Sequence, residues 1–353
     1  MRKHYIDNIR WIAVCLLFPY HTCMVFNAFG EGFYVKGAEL GFTNYFIGAL
    51  WPFMMPLLFL ISGIGSYYSL EKRSVKEYLA ERVDRILIPL IFGVLLLAPF
   101  QTFFAERFHN NYKGNYLQQY LSFFTKPTDL SGYTGGFTPA HLWFLLYLFV
   151  ISLVSLPLMN LIKKSSRRFN ADRFSLPLLI ALFILPAVAQ VVVDIDGKSL
   201  GEYLVWFLLG YFIFSKDEVV EKLKKNAVAL LILTIVLMVV YVTYGFTIEK
   251  HSVILYELLY GIYAHISILA ILGMGSRYLE FTTSFTSFML KSSFSVYLLH
   301  QQWIVLTAYF AVRYVGSISL QVIIILISSI MLTYSSYCIF RRVPIVRRIF
   351  GLY

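Results

Sequence analysis

The 353-residue chain has few charged residues and few cysteines. Only 14% of its residues are charged and 59% are apolar, whereas a soluble domain has roughly a quarter charged and about 45–50% apolar residues. This composition excludes a water-soluble enzyme, and the aromatic content of 18% excludes a disordered chain. The three cysteines, Cys15, Cys23 and Cys338, show neither metal-binding spacing nor a disulfide framework.

Long apolar runs dominate the sequence instead. A transmembrane helix needs about 20 mostly apolar residues, and ten segments meet or approach this length. They predict an all-α integral membrane protein of about ten transmembrane helices, forming one transmembrane domain over residues 1–353. The segments are residues 11–29, 44–68, 87–105, 142–162, 174–193, 201–215, 227–246, 252–275, 289–312 and 317–340.

The distribution of basic residues predicts the orientation in the membrane. The net charge of +11 does not indicate nucleic-acid binding, because the basic residues are scattered between apolar runs. With ten spans, 23 of the 30 Lys and Arg residues fall on the side of the N-terminus and 7 on the other. Cytoplasmic loops carry the excess of Lys and Arg, so both termini are predicted to be cytoplasmic. The long connection at about residues 106–140 is then extracytoplasmic, and its aromatic residues serve as interfacial anchors or as a platform for sugar rings.

Titratable side chains within the apolar segments are rare, and each is a candidate functional group because burying it in a membrane is costly. His21 lies in the first segment, with Arg10 at its cytoplasmic mouth. The two residues are eleven positions apart, so on a helix they lie within about 20° of each other and about 16 Å apart along the axis. One helix face is therefore predicted to carry a cation at the mouth and an imidazole near the membrane centre.

Two further groups of polar residues lie at comparable positions. Tyr297 and His300 share a face of the ninth segment, and they can share a polar chamber with His21 if the first and ninth segments are neighbours. Arg82 and Arg85 precede the third segment, and two guanidiniums at a cytoplasmic mouth suit a phosphate-rich ligand. The alternative interpretations are buried histidines that only hydrogen-bond neighbouring helices and arginines that only anchor the protein at the membrane surface.

Four motifs follow one another in order along the chain. They are Arg10 with His21 in DNIRWIAVCLLFPYH, Arg82 with Arg85, HLWFLLYLF at 141–149, and SVYLLHQ at 295–301. Together these motifs resemble membrane acyltransferase family 3. The tract FLISGIGSYYSL, with VDRILIPL and HLWFLL, is most similar to the branch that contains the periplasmic glucan succinyltransferase of Gram-negative bacteria. The resemblance implies a ten-span enzyme of the bacterial inner membrane that moves acyl groups onto extracytoplasmic glycans.

The resemblance implies that acyl-CoA is the donor and that His21 is the catalytic residue. Arg10, Arg82 and Arg85 would hold the CoA phosphates at the cytoplasmic mouth, with the pantetheine arm reaching toward His21. A neutral imidazole there can take the proton of an acceptor hydroxyl that attacks the thioester. It can also accept the acyl group itself and pass it on, and the sequence leaves both routes open.

The remaining candidates complete the expected site. Tyr297 and His300 are expected to join His21 as catalytic residues, because either can donate a hydrogen bond to the developing oxyanion. His141 and Trp143, at the outer mouth of the fourth segment, are expected on the acceptor side. We expect no metal ligands and no bound cofactor, and the expected partners are the lipid bilayer, acyl-CoA and an extracytoplasmic glycan or glucan.

A transporter or flippase for a glycan or a lipid-linked intermediate is the competing interpretation. Titratable groups near the membrane centre serve transporters as well as enzymes. Many transporters, however, consist of two related halves, and the polar residues here concentrate in the first, fourth and ninth segments. The sequence therefore predicts an acyl-CoA-dependent O-acyltransferase that transfers a short acyl group, acetyl or succinyl, to a hydroxyl of an extracytoplasmic glycan.

Overall fold

The structure is a computed structural model that describes residues 3–30, 32–130, 133, 135–164, 173–248 and 252–351. Among these residues helices predominate, and each of the ten predicted segments falls on helix. Six helical stretches in the described part are long and apolar enough to cross a membrane. The chain is thus a mostly helical, multi-pass membrane protein, as predicted. The count of ten spans and the cytoplasmic location of both termini stay predictions.

The helices follow one another with short connections. In the described part of the chain they are α1 (His4–Val25), α2 (Gly41–Lys72), α3 (Val75–Arg82), α4 (Ile88–Leu96), α5 (Ala98–His109), α6 (Tyr116–Phe123), α7 (Trp143–Lys164), α8 (Leu176–Ala181), α9 (Ile184–Ala189), α10 (Leu200–Leu209), α11 (Asp217–Lys225), α12 (Ala227–Thr247), α13 (Val253–Tyr278), α14 (Ser284–Tyr314), α15 (Ile318–Phe340) and α16 (Pro344–Ile349). Two π turns, Val83–Leu87 and Gly210–Phe214, and a 3₁₀ turn, Ala140–Leu142, extend them.

The six membrane-length stretches are α2, α3 to α5, α7, α12, α13 and α15. Helices α12 and α15 are largely exposed along their apolar lengths, which suits contact with lipid, whereas α2 and α13 are mostly buried. The first and ninth predicted segments lie on α1 and α14, which carry His21 and His300. The fifth and sixth predicted segments are also apolar and helical, but their helices are shorter than the six membrane-length stretches.

Contacts within the chain define two compact units, each assembled from three stretches. The first unit comprises Met1–Arg10, Gly48–Arg82 and Tyr147–Thr286. The second unit comprises Trp11–Ile47, Val83–Leu146 and Ser287–Tyr353. The prediction of one transmembrane domain over residues 1–353 stays a prediction.

The third predicted segment, 87–105, belongs to a longer helical stretch that is broken twice. Pro89 has no N–H with which to close an α-helical turn back to residue 85, and the backbone widens into the π turn Val83–Leu87 just before it. A second break follows at Leu97, two residues before Pro99 in the first turn of α5. The two prolines thus explain why this stretch is not one regular α-helix. The π turn is of interest because such turns are frequent at functional sites.

The connection predicted at about residues 106–140 is partly helical. Helix α5 continues to His109, and α6 forms within the connection. Its start is a capping box, in which Asn115 accepts the backbone N–H of Gln118 and the Gln118 side chain accepts that of Asn115. Residues 131, 132 and 134 lie outside the described residues, as do residues 165–172 after α7.

The segment predicted at 174–193 is two short helices, α8 and α9, followed by a hairpin. Strands β1 (Asp194–Ile195) and β2 (Lys198–Ser199) are antiparallel and pair Asp194 with Ser199. The two residues between the strands, Asp196 and Gly197, both have positive φ, as a type I′ turn requires. Ser199 then caps α10 by accepting the backbone N–H of Glu202.

Helices α2 and α10 approach each other closely at two glycines of the first unit. A Cβ on Gly63 would lie 2.0 Å from the carbonyl oxygen of Phe207, and a Cβ on Gly210 would lie 2.1 Å from that of Leu60. No side chain fits at either position. Small residues at such crossings let membrane helices approach backbone to backbone, so these two glycines set the distance between α2 and α10.

We predict that Gly63→Ala lowers the unfolding temperature of the purified protein in detergent by several degrees. The added methyl group must push α2 and α10 apart, and overpacking of this kind costs about 1–3 kcal/mol. Gly261→Ala is the matched control, because its Cβ would meet only Ala187 Cβ at an ordinary 3.8 Å. Equal unfolding temperatures for the two variants would contradict the close approach.

Candidate active site

Three histidines and one tyrosine meet in the second unit. The ring centroids of His21 and His300 are 5.3 Å apart, and those of His141 and His300 are also 5.3 Å apart. The ring of Tyr297 lies 5.8 Å from that of His141. The structure thus brings together four of the predicted site residues, from α1, from the 3₁₀ turn before α7 and from α14. We call these four residues the histidine cluster.

Hydrogen bonds determine which nitrogen of His141 carries the proton. Its Nε2 lies 3.1 Å from the carbonyl oxygen of Leu298, which can only accept, so Nε2–H donates. Its Nδ1 is then an acceptor and receives the Nε2–H of Gln101 at 3.3 Å. Both nitrogens of His141 are therefore engaged, and neither is ready to take a proton from a substrate.

His300 presents one uncommitted nitrogen. Its Nδ1–H donates to the carbonyl oxygen of Tyr297 at 2.7 Å, which leaves Nε2 of the neutral ring as an acceptor. The whole residue is buried, and Nε2 has no hydrogen-bond partner in the described part of the chain. On the neighbouring ring, the buried Nδ1 of His21 likewise has no partner among the described residues. Two adjacent imidazoles thus each hold a nitrogen that makes no hydrogen bond.

The hydroxyl of Tyr297 is engaged inside the cluster. It donates to the carbonyl oxygen of His141 at 2.6 Å, and the ring packs edge-on against Phe144. In this arrangement the hydroxyl proton points at the backbone before α7. The expected hydrogen bond from Tyr297 to an oxyanion would require the hydroxyl to leave this carbonyl.

An aromatic side chain covers His21. The ring of Phe33, from the connection after α1, stacks on the imidazole of His21 with centroids 5.9 Å apart and planes 19° apart. Phe33 is itself buried, and its carbonyl oxygen lies 2.8 Å from Nε2 of His109 on α5, which donates to it. Hydrogen bonding to α5 therefore holds this ring above His21.

Sequence reasoning did not single out Gln101 or Phe33. Gln101 carried a signal, because it is a polar residue within an apolar segment and such residues commonly hydrogen-bond between membrane helices. Phe33 carried none, because an aromatic residue near a membrane surface is most often an interfacial anchor.

The arginines predicted to bind the donor occupy different surroundings. In the first unit, Arg10 lies beside Gly65, where an added Cβ would be 3.7 Å from its Nη2, and 4.0 Å from Asp7. Arg82 lies over the ring of Tyr78 at 4.5 Å. The buried Nε of Arg82 has no hydrogen-bond partner among the described residues. Its guanidinium is thus held by a ring and keeps a free donor.

The π turn makes Arg82 and Arg85 unlike each other. A spacing of three residues predicts a shared face on a regular α-helix, but the chain widens into the π turn directly after Arg82. Arg82 is half-buried, whereas Arg85, in the second unit, is exposed. Trp143, expected on the acceptor side, is half-buried at the start of α7.

The three histidines do not form a metal site. His141 has no nitrogen left for a metal ion, because both make hydrogen bonds. In the described ranges no group of three or more His, Cys, Asp or Glu side chains is arranged to hold a metal ion.

Known proteins resemble the chain over almost all of its length. A family profile described as an acyltransferase domain matches residues 3–340. The chain is 24% identical to the Glucans biosynthesis protein C of Salmonella heidelberg (strain SL476) and of Salmonella typhimurium. It is 23% identical to that of Salmonella agona (strain SL483). Each alignment covers 99% of this chain and 94% of the relative. No solved structure matches the chain.

We predict that Tyr297→Phe lowers the free energy of unfolding by about 1–2 kcal/mol, because the buried carbonyl of His141 loses its donor. Denaturant or thermal unfolding of the purified protein measures the change. Tyr120→Phe is the control, because the ring contacts of Tyr120 lie on and just after α6. A stability equal to that of the control would show that the hydroxyl does not contribute.

Proposed function

The chain belongs to membrane acyltransferase family 3, and from this premise we propose that it transfers a short acyl group from cytoplasmic acyl-CoA to a hydroxyl of an extracytoplasmic glucan. The observation that carries the proposal is the adjacent pair of half-buried His21 and fully buried His300, each with a buried ring nitrogen that makes no hydrogen bond among the described residues. The names of the relatives support a glucan as the acceptor. Membership in an acyltransferase family supports this proposal over the transporter interpretation.

We further propose the ten-span arrangement with both termini in the cytoplasm of a bacterium. The imbalance of 23 basic residues against 7 supports it, and all ten predicted segments are helical. The bacterial relatives support the inner membrane as the location. In this orientation acyl-CoA reaches the protein from the cytoplasm, and the glucan reaches it from the other side of the membrane.

The proposed donor site uses the three arginines Arg10, Arg82 and Arg85. CoA carries several negative charges on its phosphates, and guanidiniums bind phosphate through paired hydrogen bonds. The free Nε of Arg82 supports this role. Arg10 and His21 lie on one unbroken helix, α1, and the rise of about 16 Å between them suits an extended pantetheine arm.

In the proposed reaction, an imidazole nitrogen of His21 takes the proton of the acceptor hydroxyl as its oxygen attacks the thioester carbon. The carbonyl π electrons move to oxygen, and their return expels the CoA thiolate, which takes the proton from His21. The products are the O-acyl glucan and free CoA. In the alternative route the same nitrogen attacks the thioester first and expels the CoA thiolate, and the acyl-histidine then transfers the acyl group to the hydroxyl, whose proton passes to the thiolate.

The other cluster residues are proposed to serve these steps from nearby. His300 contacts the His21 ring, and Tyr297 and His141 support His300. We propose that Trp143, with His141, borders the acceptor, and that the acyl group is acetyl or succinyl.

We predict that His21→Gln abolishes transfer, with a loss of at least about a hundredfold, because glutamine cannot act as a base or carry the acyl group. The assay uses proteoliposomes with acetyl-CoA or succinyl-CoA and a glucan, and follows thiol release and labelled acyl transfer.

His265→Gln is the matched control for this substitution. His265 is a buried histidine on α13, and its Nε2–H donates to the carbonyl of Leu179, which a glutamine amide can replace. Activity should therefore persist in this variant. Equal activity of His21→Gln and the wild-type protein would exclude His21 from the chemistry.

We predict that Arg82→Ala raises the KM for acyl-CoA about tenfold or more, because hydrogen bonds to charged groups contribute about 1.5–3 kcal/mol each. Lys76→Ala is the control, since Lys76 is an exposed cation on the same helix, α3. The same KM in both variants would show that α3 binds the donor by overall charge or not at all.

A further inference from the structure

Gln101 is a buried polar residue that no motif of the sequence singles out, and its amide contacts the histidine cluster. We propose that Gln101 is a positioning residue of the reaction. Together with the carbonyl of Leu298 it fixes the tautomer of His141, and His141 in turn holds the turn of α14 from which His300 presents its unpaired Nε2 beside the ring of His21. The activity part of this inference rests on the proposed function.

The first step is the bond between Gln101 and His141. Gln101 is fully buried on α5, and its Nε2–H donates to Nδ1 of His141. A donor at Nδ1 is compatible only with the tautomer in which Nε2 of His141 carries the proton. Without this donor, only the carbonyl of Leu298 would hold the proton on Nε2, and Nδ1 would be a buried acceptor without its hydrogen bond.

The second step joins His141 to α14 at consecutive residues. Nε2–H of His141 donates to the carbonyl of Leu298, and the hydroxyl of Tyr297 donates to the carbonyl of His141. These two bonds run in opposite directions between the same two segments. The carbonyl of Tyr297 also receives Nδ1–H of His300, so the turn held by His141 is the one that fixes the proton of His300.

The third step concerns the pair of adjacent imidazoles. Buried polar groups nearly always have a hydrogen-bond partner, yet Nε2 of His300 and Nδ1 of His21 have none in the described part of the chain. Nε2 of His300 can only accept in its neutral form. The two nitrogens make no hydrogen bond to each other in this structure, so one ring must rotate before Nδ1–H of His21 can donate to Nε2 of His300. Nε2 of His21 is then the bare nitrogen that acts as a base or accepts the acyl group.

The tautomers are directly measurable by ¹⁵N NMR of the detergent-solubilised full chain labelled at histidine. Signals are assigned with the single variants His21→Gln, His141→Gln and His300→Gln. We expect Nε2–H for His141 and Nδ1–H for both His21 and His300. In Gln101→Met, which keeps the volume but removes the donor, the Nδ1 signal of His141 should shift, because this nitrogen loses its hydrogen bond.

Gln302→Met is the matched control. Gln302 is also a buried glutamine, and its Nε2–H donates to the same carbonyl of Leu298 at 2.9 Å. A role of Gln101 that is only structural would make the two variants alike. A positioning role predicts that Gln101→Met lowers kcat about ten- to a hundredfold with an unchanged KM for acyl-CoA, whereas Gln302→Met keeps near-normal kcat and tautomers.

Two results would overturn the inference. One is an Nε2–H tautomer of His21 in the wild-type protein, and the other is an unchanged His141 spectrum or an unchanged kcat in Gln101→Met. A wild-type protein without acyltransferase activity would contradict the proposed function instead. The NMR signals do not depend on turnover, so they would still decide whether the chain of fixed tautomers exists.

Discussion

The constraint on which this structure depends is that a polar group inside a membrane must find a partner within the protein. Backbone groups meet it through helices, which explains why the ten apolar segments are helical even where prolines interrupt them. Side chains meet it through bonds such as that of His265 to the carbonyl of Leu179. Against this background, a buried nitrogen that makes no hydrogen bond is a costly exception, and exceptions of this kind mark functional sites. Several such atoms lie among the described residues, Nδ1 of His265 included, and the histidine cluster differs in holding two of them on adjacent rings.

The sequence predicts much of this arrangement, because few types of side chain are tolerated inside a membrane. Apolar runs locate the helices, and titratable residues within them are so rare that His21 and His300 stand out without any structure. The sequence does not predict that α1 and α14 are neighbours. Local patterns specify which side chains a helix presents but not which helix it packs against. The sequence therefore predicts a shared polar chamber only if the first and ninth segments are neighbours. The ring centroids of His21 and His300 are 5.3 Å apart, which meets this condition.

Other features depended on three-dimensional context that spacing does not encode. Arg82 and Arg85 are three residues apart, but the π turn that precedes Pro89 gives one a half-buried and the other an exposed position. His141, expected at the outer mouth on the acceptor side, lies within the cluster, because its two nitrogens bridge Gln101 and Leu298. A single glutamine in an apolar run looks like an ordinary link between helices. Only its contact with the ring of His141 makes Gln101 a candidate positioning residue.

The distribution of charge along α1 suits a donor that is anionic at one end and uncharged along its pantetheine arm. CoA is anionic where its phosphates lie and neutral along its pantetheine arm and thioester. Arg10 stands near the start of α1, and the imidazole of His21 stands near its end. A cation near the membrane surface stays partly hydrated, whereas a neutral imidazole can be buried at much lower cost. In the proposed reaction the phosphates would remain at the arginines, and with an acetyl donor only the neutral pantetheine arm and thioester would enter the protein, so no net charge would have to enter the membrane interior.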